Sequence, residues 1–167
     1  MSENQATYEL EITRTFNAPR EIVFQAWTDV DQLKQWWGPT GMELEVSKLE
    51  LRPQGIFHYS MKSPEGHMMW GKFVFHEIVP PEKLVFVNSF SDEEANTVPA
   101  PFNADFPIEI KNTLIFSEQD GKTLLTMRGG PINATEAQLQ FFKSMHESMQ
   151  QGFGGTFDQL DAFLAKA

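Results

Sequence analysis

The chain contains no cysteine, which removes disulfides, thiol nucleophiles and thiolate metal sites together. Basic residues are few. Thirteen Lys and Arg stand against 23 Asp and Glu, a formal net charge of −10. A surface of that sign repels nucleic-acid phosphates and anionic lipid, so neither nucleic acid nor a membrane is expected as a partner. No apolar run approaches the roughly 20 residues that span a bilayer. The opening MSENQATYELEI lacks the basic and apolar segments of a secretion signal, so a cytoplasmic protein is expected. Tyrosine is scarce too, at 2 residues, whereas Phe reaches 15, Met 8 and Trp 4. That mixture predicts an aromatic, soft interior with flexible Met in its irregular gaps, suited to a cavity that tolerates several shapes. At 167 residues the chain reads as one domain over 1–167, large enough to bury a core without staples.

The periodicity sets an order of elements. TYELEITRTF alternates Tyr8, Leu10 and Ile12 with polar neighbours, a half-buried strand. APREIVFQAWT then changes period: Pro19 suits a first helical turn, and Ile22, Val23, Ala26 and Trp27 form one face. A second short helix follows, with Asp29 as N-cap, Val30, Leu33 and Trp37 at helical spacing, and Gly38-Pro39 as its end. Six strand-like runs come next, parted by RPQG, SPEG, VPPE and EQDG, and their short connections predict an antiparallel meander. The tail from residue 134 to 164 predicts one long helix, capped by Asn133 with Glu136 or by Thr135 with Gln138. Its stripe runs through Phe142, Met145, Met149, Phe153, Phe157, Leu160 and Leu164. Seven strands and a helix laid on one face make an α+β layer architecture.

Five stretches, NAPREIVFQAWTDVDQLKQWWGP, QGIFHYSM, WGKFVFHEIVPPEKLVF, GKTLLTMRGG and MQQGFGGTFDQLDAFL, give the chain a family likeness from about Thr7 to Leu164. It resembles the SRPBCC (START/Bet v 1-like) superfamily, in the branch of the activator of Hsp90 ATPase C-terminal domain. The resemblance implies a helix-grip fold: a curved antiparallel seven-stranded sheet wrapped around the C-terminal helix, two short helices between strands 1 and 2, and a deep apolar cavity. Superfamily members bind lipids, hormones and polyketides, and some catalyse cyclisation. The Hsp90 activator carries an additional N-terminal domain for which this chain has no room, so a co-chaperone-like role is the alternative rather than the first expectation.

The candidate binding residues follow from strand and helix phase. Phe57 and Tyr59 share one side of their strand, Phe73 lies on one side of the next and Trp70 on the opposite side, and either of the latter two could wall the cavity. Asn112 falls in phase with Ile110, Leu114 and Phe116, so an inward amide is expected, bonded to a neighbour or to a ligand. Met145, Met149 and Phe153 face the sheet from the helix. Gly152, Gly154 and Gly155 predict either a close approach of sheet to helix or room beside it. Of the adjacent tryptophans, Trp37 is read as the core anchor and Trp36 as the cavity-mouth ring. Phe102 and Phe106 sit in a long acidic loop, 91–109, where they either pin the loop or close one end of the cavity.

The four histidines show no metal-ligand spacing; HESMQ at 146–150 ends in Gln150 where a zinc protease would have its second His. No metal or cofactor is expected, and the chain is expected to be a monomer or weak homodimer. The leading expectation is a carrier or sensor of an apolar or amphipathic small molecule. A protein-partner role is second, and a cyclase or isomerase using His146, Asn112 or Tyr59 is third.

Overall fold

The computed structural model describes residues 8–38, 41–100 and 103–166. Strand β1 (Leu10–Phe16) alternates as expected, with Leu10 and Phe16 buried at its ends. Pro19 is the N-cap of α1 (Arg20–Thr28) rather than its first residue, and Val23, Phe24, Ala26 and Trp27 turn inward. Ile22 does not share that face: it is 39 % exposed, and Phe24 takes its place. Helix α2 (Val30–Trp36) starts at Asp29, whose carboxylate accepts from the Gln32 backbone N–H at 3.1 Å, satisfying one of the helix's free donors.

The strands that follow are β2 (Glu43–Leu49), β3 (Ile56–Lys62), β4 (Met68–Val79), β5 (Lys83–Ser91), β6 (Thr97–Val98), β7 (Glu109–Gln119) and β8 (Lys122–Ile132). Every pair is antiparallel, in the order β1-β8-β7-β5-β4-β3-β2. The two-residue β6 pairs with β5 from within the acidic loop, an addition to the seven long strands. Consecutive long strands are therefore neighbours except at the start. There the chain leaves β1, crosses through α1 and α2, and enters the sheet at its far edge. The register shifts between Val46 and Lys48 and between Phe75 and Glu77, and such bulges bend a strand and raise its twist. At the β7–β8 hairpin, Asp120 (φ 53°) and Gly121 (φ 78°) both occupy the left-handed region, as a two-residue turn matching sheet twist requires.

The tail is two helices, α3 (Glu136–Ser144) and α4 (His146–Lys166), not one. Thr135 and Gln138 form the capping box of α3. At Met145 the backbone leaves the helical region (φ −96°, ψ 0°), so the stripe is split into a segment with Phe142 and a segment with Phe157, Leu160 and Leu164. Helix α4 is tied to β1 by Arg14, which donates to Asp158 at 2.6 Å, to Asp161 and to the Gly154 carbonyl at 3.2 Å. The core between sheet and helices holds Phe16, Trp27, Leu33, Trp36, Phe57, Phe73, Phe75, Phe116, Phe157 and Leu160.

Candidate functional site

The Trp-Trp-Gly turn and α4 are joined by side chain to backbone bonds. Gln159 Nε2 donates to the Trp36 carbonyl at 3.0 Å and to the Gly38 carbonyl at 2.8 Å, and Thr156 Oγ1 donates to Gly38 at 3.1 Å. Trp36 is 1 % exposed and its indole Nε1 donates to the Ala26 carbonyl at 2.9 Å. Its ring meets Trp27 edge-on at 4.8 Å. Trp37, half-buried, is the wall residue. The two assignments are therefore reversed. The cause is that α2 ends at Trp36: Trp37 is its C-cap, with extended backbone (φ −71°, ψ 140°), so the Val30-Leu33 spacing extends to Trp36 and not beyond it. Pro39, expected at the helix end, lies outside the described residues.

Trp37 opens onto a cavity of about 310 Å³ between the sheet and α4. Tyr59 and Met61 from β3, Asn88 and Phe90 from β5, Ile110 and Asn112 from β7, and Met149, Phe153 and Thr156 from α4 border it. Phe106, Pro107 and Ile108 contribute from the loop. Phe106 sits between the Phe90 and Phe141 rings, 6.2 Å from each, so the acidic loop supplies one end of the wall; Phe102 lies outside the described residues. A second compartment of about 150 Å³ adjoins it, bordered by Leu10, Gly129 and Phe142 and sharing Asn88, Asn112, Met149 and Phe153. Among the described lining residues there is no Asp, Glu, Lys, Arg or His.

Of the residues expected at the site, Tyr59, Asn112, Met149 and Phe153 border the cavity, and Trp36, Phe57, Trp70, Phe73, Phe116 and Met145 do not. Phe57, Phe73 and Phe116 are each at most 1 % exposed and packed ring to ring in the core, Phe73 stacking on Phe86 at 4.0 Å. They have the inward phase but lie deeper than the opening. Trp70 occupies the outer face, where it stacks on His58 at 5.0 Å while His58 Nε2 bonds the Asp92 carbonyl. Met145 is spent on the break between α3 and α4. His146 Nε2 bonds the Tyr8 carbonyl at 3.0 Å and the ring packs on Phe142, so it does not border the cavity.

Two glycines make the wall possible. A Cβ on Gly71 would lie 2.7 Å from the Tyr59 hydroxyl, and one on Gly129 would strike Asn112 Oδ1. Gly152 and Gly154 are different: a Cβ there meets nothing within 4 Å. Of the two explanations for these helix glycines, room beside the helix is the one observed at both positions. Asn112 Nδ2 makes one long bond, 3.4 Å to the Ile110 carbonyl, leaving amide capacity for another partner.

Among the described lining residues, Tyr59 is the ionisable group. Burial pushes its phenol up to about 12, against the opposing influence of the Trp37 indole and the Asn88 amide, which both face the hydroxyl. An unfolded chain loses this proton near pH 10, while the folded chain keeps it. Stability should therefore fall between about pH 10 and pH 12, by up to about 1.4 kcal/mol per pH unit from this group. Tyr59→Phe should flatten that alkaline limb, read as a smaller difference between denaturant midpoints at about pH 9 and about pH 11.5.

A family model described as activator of Hsp90 ATPase homolog 1-like protein matches residues 17–165. The chain belongs to that family. A crystal structure of the protein Ms6760 from Mycobacterium smegmatis is 31 % identical, covers 96 % of this chain and 92 % of its own, and superposes with a TM-score of 0.76. A solution structure of an Arthrobacter aurescens protein is 26 % identical over 97 % of this chain and 88 % of its own, with a TM-score of 0.80. A Silicibacter pomeroyi family protein, 21 % identical over 94 % of this chain and 97 % of its own, shares the fold at a TM-score of 0.71. No functionally curated protein matches the chain. The family places this member among helix-grip proteins with an antiparallel sheet folded against a C-terminal helix, and no helix among the described residues is long and apolar enough to cross a membrane.

Proposed function

We propose that this protein binds an apolar or amphipathic small molecule between the sheet and the C-terminal helix, as a carrier or sensor. The observation that carries this reading is the cavity of about 310 Å³, bordered by β3, β5, β7 and α4 together and free of charged side chains among its described lining. Its volume falls at the lower end of the roughly 300–1,000 Å³ of drug-sized sites, and its few polar groups among apolar walls follow the same pattern. Catalysis is less favoured, because general acid–base work needs a group titrating near the working pH. Tyr59 titrates far above it, and His146 is committed to Tyr8 outside the cavity.

An environment-sensitive apolar dye should bind the native protein at about one per chain, as expected for a single cavity of this size. Native mass spectrometry of the purified protein should show a retained small-molecule mass in part of the population. A protein that excludes the dye while fully folded would overturn the carrier reading and favour a co-chaperone-like role on protein partners.

A further inference from the structure

We infer that the ligand is a neutral alcohol or phenol, its hydroxyl donating to Asn112 Oδ1 in the smaller compartment while its apolar body fills the larger one. This rests on the ligand-binding reading above. Asn112 borders both compartments from β7 and is 7 % exposed, so solvent outside the cavity offers it little. The orientation of its amide is set locally. Nδ2 donates to the Ile110 carbonyl at 3.4 Å, a bond that only the N–H end can make. Oδ1 therefore turns the other way, toward β8. There it accepts no hydrogen bond from the described residues, and unlike the indole nitrogens of Trp27 and Trp37 it is not sealed off.

The opposite strand holds that oxygen in place. Asn112 and Gly129 are register partners across β7 and β8, and Oδ1 lies where a Cβ on residue 129 would stand. Gly129 is thus a positioning residue, because any side chain there would push the amide oxygen aside. The polar side chains among the described lining of the smaller compartment are Asn112 and Asn88. Asn88 pairs with Ile110 while Phe86 pairs with Asn112, so the two amides are diagonal neighbours, and that of Asn88 is turned to the Tyr59 hydroxyl. Asn112 Oδ1 is left as the open acceptor among apolar walls. An acceptor calls for a donor, and here the donor must be neutral. The described lining holds no Asp or Glu to pair with an ammonium and no Lys, Arg or His to pair with a carboxylate, and an unpaired buried charge is strongly disfavoured. A hydroxyl brings one proton to one acceptor, whereas an NH2 group would leave an N–H unpaired.

A matched set separates this inference from the broader one: biphenyl-4-ol, 4-methoxybiphenyl and biphenyl-4-carboxylate, each displacing the apolar dye Nile red. In the wild-type protein the alcohol should compete and the carboxylate should bind at least about tenfold more weakly. Asn112→Leu should weaken the alcohol by about three- to tenfold, the loss of one hydrogen bond, and the ether by no more than about twofold. Gly129→Ala moves the amide oxygen but keeps Asn112, so it should lower the preference for alcohol over ether in the same direction. It decides the matter where Asn112→Leu no longer binds Nile red. A merely structural role for either residue would weaken alcohol and ether together. An alcohol-to-ether ratio within about twofold of wild type in the dye-binding variant, a carboxylate that binds as well as the alcohol, or an alcohol that cannot displace Nile red would overturn this inference alone. Failure of Nile red to bind the native protein would overturn the carrier reading with it.

Discussion

Replacing Trp36 with alanine should lower stability by about 3–5 kcal/mol, the range for truncating a buried aromatic. The ring is 1 % exposed, meets Trp27 at 4.8 Å and anchors its indole to the Ala26 carbonyl. Its loss thus opens a cavity and orphans an acceptor at once. In a domain of this size each kcal/mol moves Tm by about 2–4 °C, so thermal unfolding should drop by about 10 °C. Trp37→Ala should lower Tm clearly less, because that ring is half-buried and one side of it faces the cavity. Equal losses for the two would mean that Trp37 is core rather than wall.

Met149→Trp should weaken dye binding by more than about tenfold while leaving Tm within a few degrees of wild type. Added bulk in a packed core typically costs about 1–3 kcal/mol through strained rotamers. Met149 borders both the larger and the smaller compartment, so an indole there can enter volume that no protein atom occupies. Fluorescence titration alongside thermal unfolding separates the two effects. Undiminished dye binding by the folded variant would place the dye elsewhere on the protein.

The architecture was legible because its signals are local and repeated. Alternation in β1, the N-cap at Asp29 and the Asp-Gly turn before β8 each fix an element without reference to distant residues. Inward phase was legible as well: Asn112, Tyr59, Met149 and Phe153 all turned toward the cavity. Depth was not. Phe57, Phe73 and Phe116 share that phase, and what separates core from wall is ring packing between distant elements, Phe73 on Phe86 and on Phe57, Phe116 on Phe24. The exchange of Trp36 and Trp37 came from a helix boundary one residue earlier than the spacing implied. The break at Met145 carries no glycine or proline to announce it, and Phe106 reached the wall through a loop whose path no periodicity describes. The glycine pair does carry a sequence signal: Gly71 and Gly129 interrupt strand runs, the mark of a close approach by another group.

The pairing of the first strand with the last has a consequence for synthesis. Leu10 faces Gly129, and Phe16 faces Thr123, so β1 emerges from the ribosome more than a hundred residues before its partner exists. Arg14 waits longer still, for Asp158 and Asp161. Ordering this strand must close a loop of more than a hundred residues, and contacts of that span are the slow ones in folding. Until then the Phe16 side chain, fully buried in the finished protein, has nowhere to go. The nascent chain therefore carries this half-apolar segment unpaired until β8 has been made, the exposure that chaperones shield. The seven-residue strand carries charge at Glu11 and Arg14, which guards its edge against mispairing in that interval.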